Sequence, residues 1–537
     1  MIKDLITRYK NYLLTGIVFL LIYFVYFHQL GAPALLDSDE TRYADMARSM
    51  LHSKDFITLY LDDKIFWDKP PLFFWILDIF YILFSKITFV TQEFVVRIPS
   101  VMAALSVVAV LYFYTKKVIS KRFAIVSGLI LVTSVEFAIF SHVSILDMLL
   151  TANIAISTLC GLMTYFVKEE NKKYFWWMFY AFSAFGILTK GIPAVVVPFG
   201  TMFFVGLKYK NIKEFFKPQY FVVGSLIFLL IALPWHIIMY HVHGNEFIKE
   251  YIIKHHFQRF LGSNEIGREH TLIYYIPTFI IGFLPWSMSF ILGLKKLVQE
   301  NKDKFVMMNL IGFVFTLVFF SVSKTKLITY ILPLYPFAAV LTSYIWLKCD
   351  KEVKYSIFIT NSVFVAFSLL LACAGLYLPQ DIYSSIKIAQ IPLVIAFFVI
   401  GVYGLINNKK KWNVFGSYLI LIAFLGGFMM PKLFNIWYSY GQNDLMNFAK
   451  YAKEKQLPLG AYNVWERFSL QYYYDGNVEY FQDGDSYGAK YVSTTPFKNT
   501  FNKSYVVVEN NDLENLNKTM KLETVLTGKR YSLVKEH

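Results

Sequence analysis

Charged side chains are scarce in this sequence. Asp, Glu, Lys and Arg make up 17% of its 537 residues, whereas they make up about a quarter of an ordinary soluble protein. That scarcity excludes an ordinary soluble enzyme. Cysteine is scarcer still. Cys160 and Cys373 lie in apolar stretches and Cys349 lies in a basic loop, so the sequence indicates no disulfide framework. It also lacks an internal repeat and a low-complexity linker.

Long apolar stretches are what the sequence has instead. Hydrophobic residues make up 56% and aromatic residues 19%, with a mean hydropathy of +0.46. Stretches of about 20 apolar residues, each long enough to cross a hydrocarbon core of ~30 Å, recur from residue 11 to about residue 430. We therefore predict a polytopic membrane protein. A cleaved signal peptide is the alternative at the N-terminus, but the long apolar run at 13–27 and the spans after it favour an uncleaved first span.

The basic residues predict the topology. The formal net charge of +15 would suit a nucleic-acid partner, but the Lys and Arg residues lie mainly in short clusters between apolar runs, at 3–10, 116–122, 168–173, 208–217, 295–304, 348–354 and 409–411. The positive-inside rule accounts for this pattern without nucleic acid. If every cluster is cytoplasmic, two spans must separate each neighbouring pair. The thirteen spans that satisfy this lie near 11–28, 97–115, 123–141, 149–167, 174–188, 193–207, 219–241, 272–294, 305–322, 327–347, 356–378, 388–406 and 414–431.

One apolar segment, 70–84, must not cross. It is short, opens with two prolines and carries Asp78, so we predict an interfacial helix on the outer surface. The N-terminus is then cytoplasmic, and residues 1–431 form a membrane domain with a first outer loop at 29–96. The tail, 432–537, has a polar helical stretch and short apolar runs separated by Asn, Asp and Gly. These features predict a small extracytoplasmic α/β domain.

Carboxylates are concentrated just outside the first span, in "DSDETRYADMARSML". The spacing of Tyr43, Met46 and Met50 predicts an amphipathic helix. For Glu40 and Asp45, an alternative to function is a surface position near the helix N-terminus, where the dipole favours acids. For Asp39 we favour function, because the loop returns to the membrane surface. "DSD" at 37–39 also fits the Asp-x-Asp pattern of nucleotide-sugar enzymes, but no glycine-rich phosphate loop accompanies it, so we expect no nucleotide.

Two further carboxylates lie in or beside predicted spans. Asp147 begins an apolar helix at the outer surface, where it is either functional or a helix N-terminal acid. Glu136 lies deeper within a span, where an ionisable group is costly. It is either functional or paired between helices.

Basic residues on the predicted outer side depart from the positive-inside rule. Each one alone is typical of a snorkelling anchor, but together they predict an anion site for a lipid phosphate. Tyr330 would add a hydroxyl donor, and Arg42 lies in the same outer loop as the carboxylates. The basic residues are Lys69, Lys190, Arg259, Lys324 and Lys326.

A divalent metal site is a weaker prediction. Asp68, His255 and His256 supply a carboxylate and imidazoles from separate outer loops, and this donor combination suits zinc.

Several of these motifs recur in one order in a known family. They are "DSDETRYADMARSM", "DFITLYLDDKIFWDKPPLFFW", "LD" at 146–147, "TKG" at 189–191, "HHFQRF", "PW" at 285–286 and "SKTKLITYILPLYP". The chain resembles the bacterial aminoarabinose lipid A transferases, within the polyprenyl-phosphate-sugar glycosyltransferases related to protein O-mannosyltransferases. The resemblance covers the whole membrane part, whereas the tail matches only in place and size.

The resemblance implies a C-type glycosyltransferase fold with thirteen spans, an undecaprenyl-phosphate-linked sugar as donor and a lipid A phosphate as acceptor. It places Asp39 and Asp147 on the family's essential carboxylates, Lys69 and Tyr330 near the carrier phosphate, and Asp68 with His256 on a pair that binds a divalent metal, zinc or magnesium. Two departures are that the family usually has Glu at position 68, and that "DSD" adds Asp37.

The expected protein is therefore a monomeric glycosyltransferase of the bacterial inner membrane, with its active site and tail in the periplasm. Three alternatives remain at this point. The same fold would also serve a protein hydroxyl or another surface glycan as acceptor. A transporter of lipid-linked sugars would be expected to have the inverted repeat that this sequence lacks. A structural membrane protein would leave the outward-facing lysines unexplained.

Overall fold

The computed structural model of the protein describes residues 12, 15–61, 64–258, 270–377, 380–438, 441–464, 467–481, 504–518 and 520–536. The side chains of 256–257, 375–377, 380–385 and 437–438 lie outside this description. The described residues up to Tyr438 are mostly helical. Among the described residues, one short hairpin precedes Tyr438 and the other strands come after it. This order agrees with the predicted all-α membrane part and α/β tail.

Within the described residues, eight helices are long and apolar enough to cross a membrane, or up to ten if each of two bent pairs forms one span. Each of the thirteen predicted spans overlaps a helix, but the number thirteen stays a prediction. The eight helices are Gln92–Val118, Leu146–Met163, Pro218–His243, Lys304–Val322, Ile328–Lys348, Asp350–Ala374, Ile386–Ile406 and Lys411–Ile436. The bent pairs are Lys121–Val132 with Val135–Ser141 and Leu272–Gly282 with Ser287–Gln299. The remaining predicted spans correspond to Thr15–Phe27, Glu169–Lys190 and Pro193–Lys208.

Both bends have local causes. In the first pair, which bends by 67°, the hydroxyls of Thr133 and Ser134 donate to the carbonyls of Leu129 at 2.6 Å and Ile130 at 2.8 Å. Such back-bonding competes with the helical ladder. The second pair bends by 117° near Pro285, where the missing backbone N–H interrupts the helix.

The first outer loop folds into two helices joined by a short hairpin. The helix Asp39–Ser53, named α1 here, is followed by the strands Tyr60–Leu61 and Lys64–Ile65. The second helix, α2, is Leu72–Phe84 and has 13 residues, a length of roughly 20 Å at 1.5 Å per residue. A helix of that length is shorter than a ~30 Å core, but Thr15–Phe27 has the same number of described residues, so the absence of a crossing by α2 stays a prediction. Edge-to-face packing of Tyr43 on Phe74, with ring centroids 5.7 Å apart, joins α1 to α2.

The C-terminal part contains a five-stranded sheet within the described residues. Its strands are β1 (Leu459–Tyr462), β2 (Glu479–Phe481), β3 (Tyr505–Glu509), β4 (Leu522–Thr527) and β5 (Tyr531–Glu536), in the spatial order β2-β1-β3-β5-β4. The pairs β1–β2 and β1–β3 are parallel, while β3–β5 and β4–β5 are antiparallel. The helices of this part are α3 (Gln442–Lys455), α4 (Ser469–Tyr474) and α5 (Asn510–Asn517). We call residues 441–536 the C-terminal domain.

Candidate active site

Asp147 is the centre of one cluster of predicted site residues. Its Oδ1 accepts hydrogen bonds from Lys190 Nζ at 2.6 Å and from Thr329 Oγ1 at 3.0 Å. The Lys190 ammonium also lies 4.6 Å from the centroid of the Tyr330 ring. The structure therefore brings together Asp147, Lys190 and Tyr330, which the sequence placed in three separate outer loops. The Asp147 residue is 8% exposed.

Local structure explains how these side chains meet. Asp147 is in the first turn of the helix Leu146–Met163, where the positive end of the helix dipole favours a carboxylate. Lys190 ends the helix Glu169–Lys190, and Gly191 then takes φ +90°, a conformation that stops a helix and suits glycine. Thr329 and Tyr330 belong to the 3-10 turn Ile328–Leu334.

Asp39 forms a second cluster with Arg42, to which it is ion-paired one turn along α1. The Asp39 side chain is 45% exposed and that of Arg42 is 17% exposed. The guanidinium carbon of Arg42 lies 5.1 Å, 5.6 Å and 5.7 Å from the ring centroids of Tyr43, Phe66 and Phe468. Three aromatic rings therefore fix the cation, while the carboxylate stays open to solvent.

Tyr43 connects the two clusters electrostatically. Burial raises the pKa of the Tyr43 phenol, and the charge of Asp39 raises it further; Arg42 lowers it, and Asp147 adds a smaller increase. Both carboxylates therefore lie close enough to this buried phenol for their charges to act on it.

Glu40 has a role that the sequence analysis did not identify. The alternative of a surface acid is wrong for this residue, since Glu40 is 1% exposed. Its Oε1 accepts from Arg97 Nε at 3.0 Å and from the Ser144 amide at 2.6 Å. Its Oε2 accepts from Arg97 Nη2 at 2.9 Å and from the Leu36 amide at 2.8 Å. One buried carboxylate thus joins the loop before Asp39 to the loop before Asp147.

Arg97 also donates to three carbonyls of the first outer loop, those of Leu30, Pro33 and Ala34, at 3.0, 2.7 and 2.6 Å. Its own exposure is 1%. We call Glu40 and Arg97 with these hydrogen bonds the Glu40–Arg97 joint. The sequence did contain one signal for this ion pair. Arg97 is a single arginine at the start of an apolar run, and a charge in such a place needs a partner. The alternative of a surface position is also wrong for Asp45, which is 6% exposed and pairs with Arg48 at 2.7 Å.

The predicted metal residues are only partly described. Asp68 Oδ1 lies 2.8 Å from His255 Nε2, while the side chain of His256 lies outside the described residues. Groups of three or more His, Cys, Asp and Glu side chains suited to a metal are absent from the described part of the chain. The Asp68–His255 pair would suit a divalent ion that takes its other ligands from water and phosphate oxygens. Metal binding stays a prediction.

The remaining cations differ in accessibility. Lys69 is 9% exposed and its Nζ donates to the Asp68 carbonyl at 3.1 Å. Lys326 is 2% exposed and its Nζ donates to the carbonyls of His270, at 3.1 Å, and Ser323. Lys324 is exposed. Arg259 lies outside the described residues, so its predicted role remains a prediction.

Glu136 is paired between helices. The Tyr335 hydroxyl donates to its Oε2 at 2.5 Å, and a Cβ at Gly282 would overlap both side chains. The carboxyl is 6% exposed. Of the two alternatives for this residue, the structure favours the structural one.

Comparison with known proteins gives matches that agree with one another. A family model described as dolichyl-phosphate-mannose-protein mannosyltransferase matches residues 68–238. An undecaprenyl phosphate-alpha-4-amino-4-deoxy-L-arabinose arabinosyl transferase of Wigglesworthia glossinidia brevipalpis is 29% identical over 436 residues, covering 78% of this chain and 75% of the relative. A transferase of the same name from Proteus mirabilis is 28% identical over 426 residues, covering 77% and 75%.

Solved structures share the fold. The crystal structure of ArnT from Cupriavidus metallidurans bound to undecaprenyl phosphate superposes with a TM-score of 0.82 at 21% identity and covers 98% of each chain. The archaeal oligosaccharyltransferase AglB from Archaeoglobus fulgidus superposes with a TM-score of 0.54 at 11% identity and covers 95% of this chain and 70% of that one. The predicted fold class is confirmed. The protein is a multi-pass membrane glycosyltransferase that is similar, in its sequence and in its fold, to the aminoarabinose transferases.

Proposed function

We propose that the protein transfers an amino sugar, 4-amino-4-deoxy-L-arabinose, from undecaprenyl phosphate to a phosphate group of lipid A, at the periplasmic face of the inner membrane. The observation that carries the proposal is the convergence of Asp147, Lys190 and Tyr330 beside the Asp39–Arg42 pair. The names of the relatives supply the sugar and its carrier.

The reaction is a single displacement at the anomeric carbon. An oxygen of the acceptor phosphate forms the new bond to this carbon, and the bond to the carrier phosphate breaks with its electron pair on the departing oxygen. The products are the glycosylated lipid A phosphate and undecaprenyl phosphate. Negative charge grows on the departing oxygen in the transition state, so preorganised cations near it lower the barrier.

The site supplies such cations in fixed positions. Lys190 is held by Asp147 and by the Tyr330 ring, and Arg42 is held by Asp39 and three rings. Lys69 is held by the carbonyl of Asp68. A cation that is already oriented needs little reorganisation as charge develops, which is the condition for electrostatic catalysis.

The two carboxylates orient the sugar. A phosphate acceptor is already anionic at neutral pH, so no general base is needed to activate it. An amino sugar carries a cation, and the half-exposed Asp39 carboxylate is available to bind it. Asp147, which lies deeper, holds Lys190 and Thr329 in place. A divalent ion held by Asp68 and a neighbouring histidine would add positive charge for phosphate binding.

The orientation in the membrane also belongs to this proposal. The site residues lie in loops that the positive-inside rule places outside the cytoplasm, where nucleotide sugars and ATP are not available. A lipid-linked donor fits that compartment. A glycan or lipid of the outer leaflet fits it as an acceptor.

The second candidate is transfer to a protein hydroxyl or to another surface glycan. The match of residues 68–238 to a protein mannosyltransferase model favours it. A hydroxyl must lose its proton during transfer, and Asp39 would then act as the general base.

Mass spectrometry of lipid A from cells with and without the gene tests the proposal. We expect a mass of one aminopentose on a lipid A phosphate in the first and its loss in the second, with restoration by the wild-type gene but not by Asp39→Asn at equal expression. Unchanged lipid A with accumulation of the carrier-linked sugar would instead support the second candidate. Unchanged lipid A without accumulation would contradict transfer from this donor.

A further inference from the structure

We propose that the C-terminal domain is part of the active site, with Phe468 and Ser469 as positioning residues that hold Arg42 and the loop of Asp39 in their working geometry. The inference rests on the proposed function, since it assigns these residues a part in that transfer. It concerns residues of the tail that neither the motifs nor the family model includes.

The first observation concerns the three aromatic rings that surround the Arg42 guanidinium. Tyr43 and Phe66 belong to the first outer loop, but Phe468 comes from the C-terminal domain. Phe468 is 6% exposed. Its ring centroid lies 5.7 Å from the guanidinium carbon, within the range of a cation–π interaction. The tail therefore supplies one of the three rings that fix the cation paired with Asp39.

The second observation is the next residue along the chain. The Ser469 amide donates to Asp37 Oδ1 at 2.7 Å, and its hydroxyl donates to Asp37 Oδ2. Thr41 Oγ1 adds a third hydrogen bond to Asp37 Oδ1 at 2.7 Å. Two of these three donors come from the C-terminal domain, and their acceptor lies two residues before Asp39. Burial raises the pKa of the Asp37 carboxyl, whereas the hydrogen bonds from Ser469 and Thr41 lower it.

Further contacts hold the same two surfaces together. The Leu35 amide donates to the Tyr473 hydroxyl at 2.9 Å, and that hydroxyl donates to Glu93 Oε1 at 3.0 Å. The amide nitrogen of Gln442 donates to the Leu35 carbonyl, while its oxygen accepts from the Asp37 amide at 3.3 Å. Buried polar contacts of this kind are costly to break, because water does not replace them while the surfaces stay together.

These contacts distinguish a positioning role from simple attachment. Attachment needs only that the domain stays bound, and the Tyr473 contacts with the Leu35 amide and Glu93 provide that. Gln442, like Ser469, contacts Asp37. The Phe468 and Ser469 contacts fall instead on Arg42 itself and on the loop that carries Asp39. Loss of the Phe468 ring would leave the Asp39–Arg42 pair formed but free to move. A small displacement of a transition-state contact lowers kcat more than it changes substrate binding.

The test uses the full-length protein in lipid nanodiscs with the undecaprenyl-phosphate-linked aminosugar as donor. Phe468→Leu and Ser469→Ala remove the ring and the hydroxyl, and Phe468→Tyr keeps the ring. The matched control is Lys535→Met, which removes an ion pair of the same domain, with Glu523 at 3.0 Å on the other edge of the sheet. We expect kcat to fall about tenfold in the first two variants, with KM for the donor changed by less than about twofold.

Phe468→Tyr and the control should keep the wild-type kcat. Hydrogen exchange of peptides covering α1 and α4 should be faster in Phe468→Leu and Ser469→Ala than in the wild type, without donor present. The proposal is overturned if both variants keep the wild-type kcat, or if KM rises while kcat is unchanged, or if Phe468→Tyr is as impaired as Phe468→Leu. An active wild type with unaffected variants would count against this inference alone, whereas a wild type inactive with the donor would count against the proposed function.

Discussion

Lys190 Nζ lies 2.6 Å from Asp147 Oδ1, although the two residues are 43 positions apart in the sequence and belong to different helices. Their side chains are 15% and 11% exposed. An ion pair with so little access to water depends on both partners, because removal of one leaves the other as an uncompensated buried charge. The ion pair therefore holds the Lys190 ammonium, and with it a positive charge, at one position in the site.

The first prediction concerns this pair. Lys190→Met should lower kcat for sugar transfer by about 100-fold, since it removes a preorganised cation. Thr329→Val, which removes only one neutral donor to the same carboxylate, should lower kcat by less, about fivefold to tenfold. The double variant Lys190→Met, Asp147→Asn should be no worse than the more impaired single variant, because the two residues are in contact.

Lys172→Met is the matched control, because Lys172 forms an ion pair with Glu214 at 2.5 Å in the predicted cytoplasmic loops. It should leave transfer unchanged. Steady-state kinetics of purified protein measures these four variants and the single variant Asp147→Asn. Full additivity of the double variant would show that Lys190 and Asp147 act independently.

The second prediction concerns the Glu40–Arg97 joint. Arg97→Met leaves the Glu40 carboxylate buried without its cation and should destabilise the protein by about 3–5 kcal/mol. Glu40→Gln keeps the shape but loses the charge and should cost less. In Lys453→Met, which breaks an exposed pair with Asp475 at 2.8 Å, the loss should be below about 1 kcal/mol. Thermal unfolding in detergent gives the order, and an Arg97→Met variant as stable as the control would contradict the joint.

The sequence could predict the positions of the helices because apolar length and basic clusters are local properties. The convergence of Asp147, Lys190 and Tyr330 was also predictable in outline, since all three were assigned to outer loops. The pairing of Lys190 with Asp147 was not predictable, because a lysine that pairs with a carboxylate and a lysine that binds a substrate phosphate have the same sequence pattern. Glu40 and Arg97 were missed for a related reason: they meet only through packing, 57 residues apart.

The tail shows the same limit. The polar stretch "NDLMNFAKYAKEK" indicated a helix, and the short apolar runs "SYVVVEN" and "YSLVKEH" indicated strands. The structure has α3, β3 and β5 at these places. The run "KYVSTT" lies outside the described residues. Alternation indicates strands, but it carries no information on which loop of the membrane part the domain contacts. That contact, through Ser469 and Asp37, needed the structure.

The third prediction concerns metal binding. If a divalent ion is held by Asp68 and its observed neighbour, His255→Ala should abolish it and His256→Ala should not. If the family pattern holds instead, the effects should be reversed. Metal content of the purified variants by atomic absorption separates the two, and loss of activity on treatment with a chelator, restored by zinc or magnesium, is the expected companion result. A metal content equal to that of the wild type in His255→Ala, His256→Ala and Asp68→Ala would exclude this site.

The fourth prediction concerns Asp78 on the interfacial helix α2. Burial raises the pKa of Asp78 to about 7, and both of its carboxyl oxygens are without a hydrogen-bond partner in the described part of the chain. A carboxyl whose pKa is higher in the folded protein than in the unfolded chain favours folding at low pH, and this contribution is lost as the pH rises from about 4 through about 7. The wild type should therefore be less stable at pH 8 than at pH 6, relative to a variant that lacks the charge.

Asp78→Asn is that variant, since it keeps the size of the side chain and cannot ionise. We expect its melting temperature to exceed that of the wild type by an amount that grows between pH 6 and pH 8, equivalent to roughly 1–2 kcal/mol after allowance for solvent near the membrane surface. Glu454→Gln, an exposed change on α3, should follow the wild type at every pH. A difference between Asp78→Asn and the wild type that does not vary with pH would mean that Asp78 keeps one protonation state over this range.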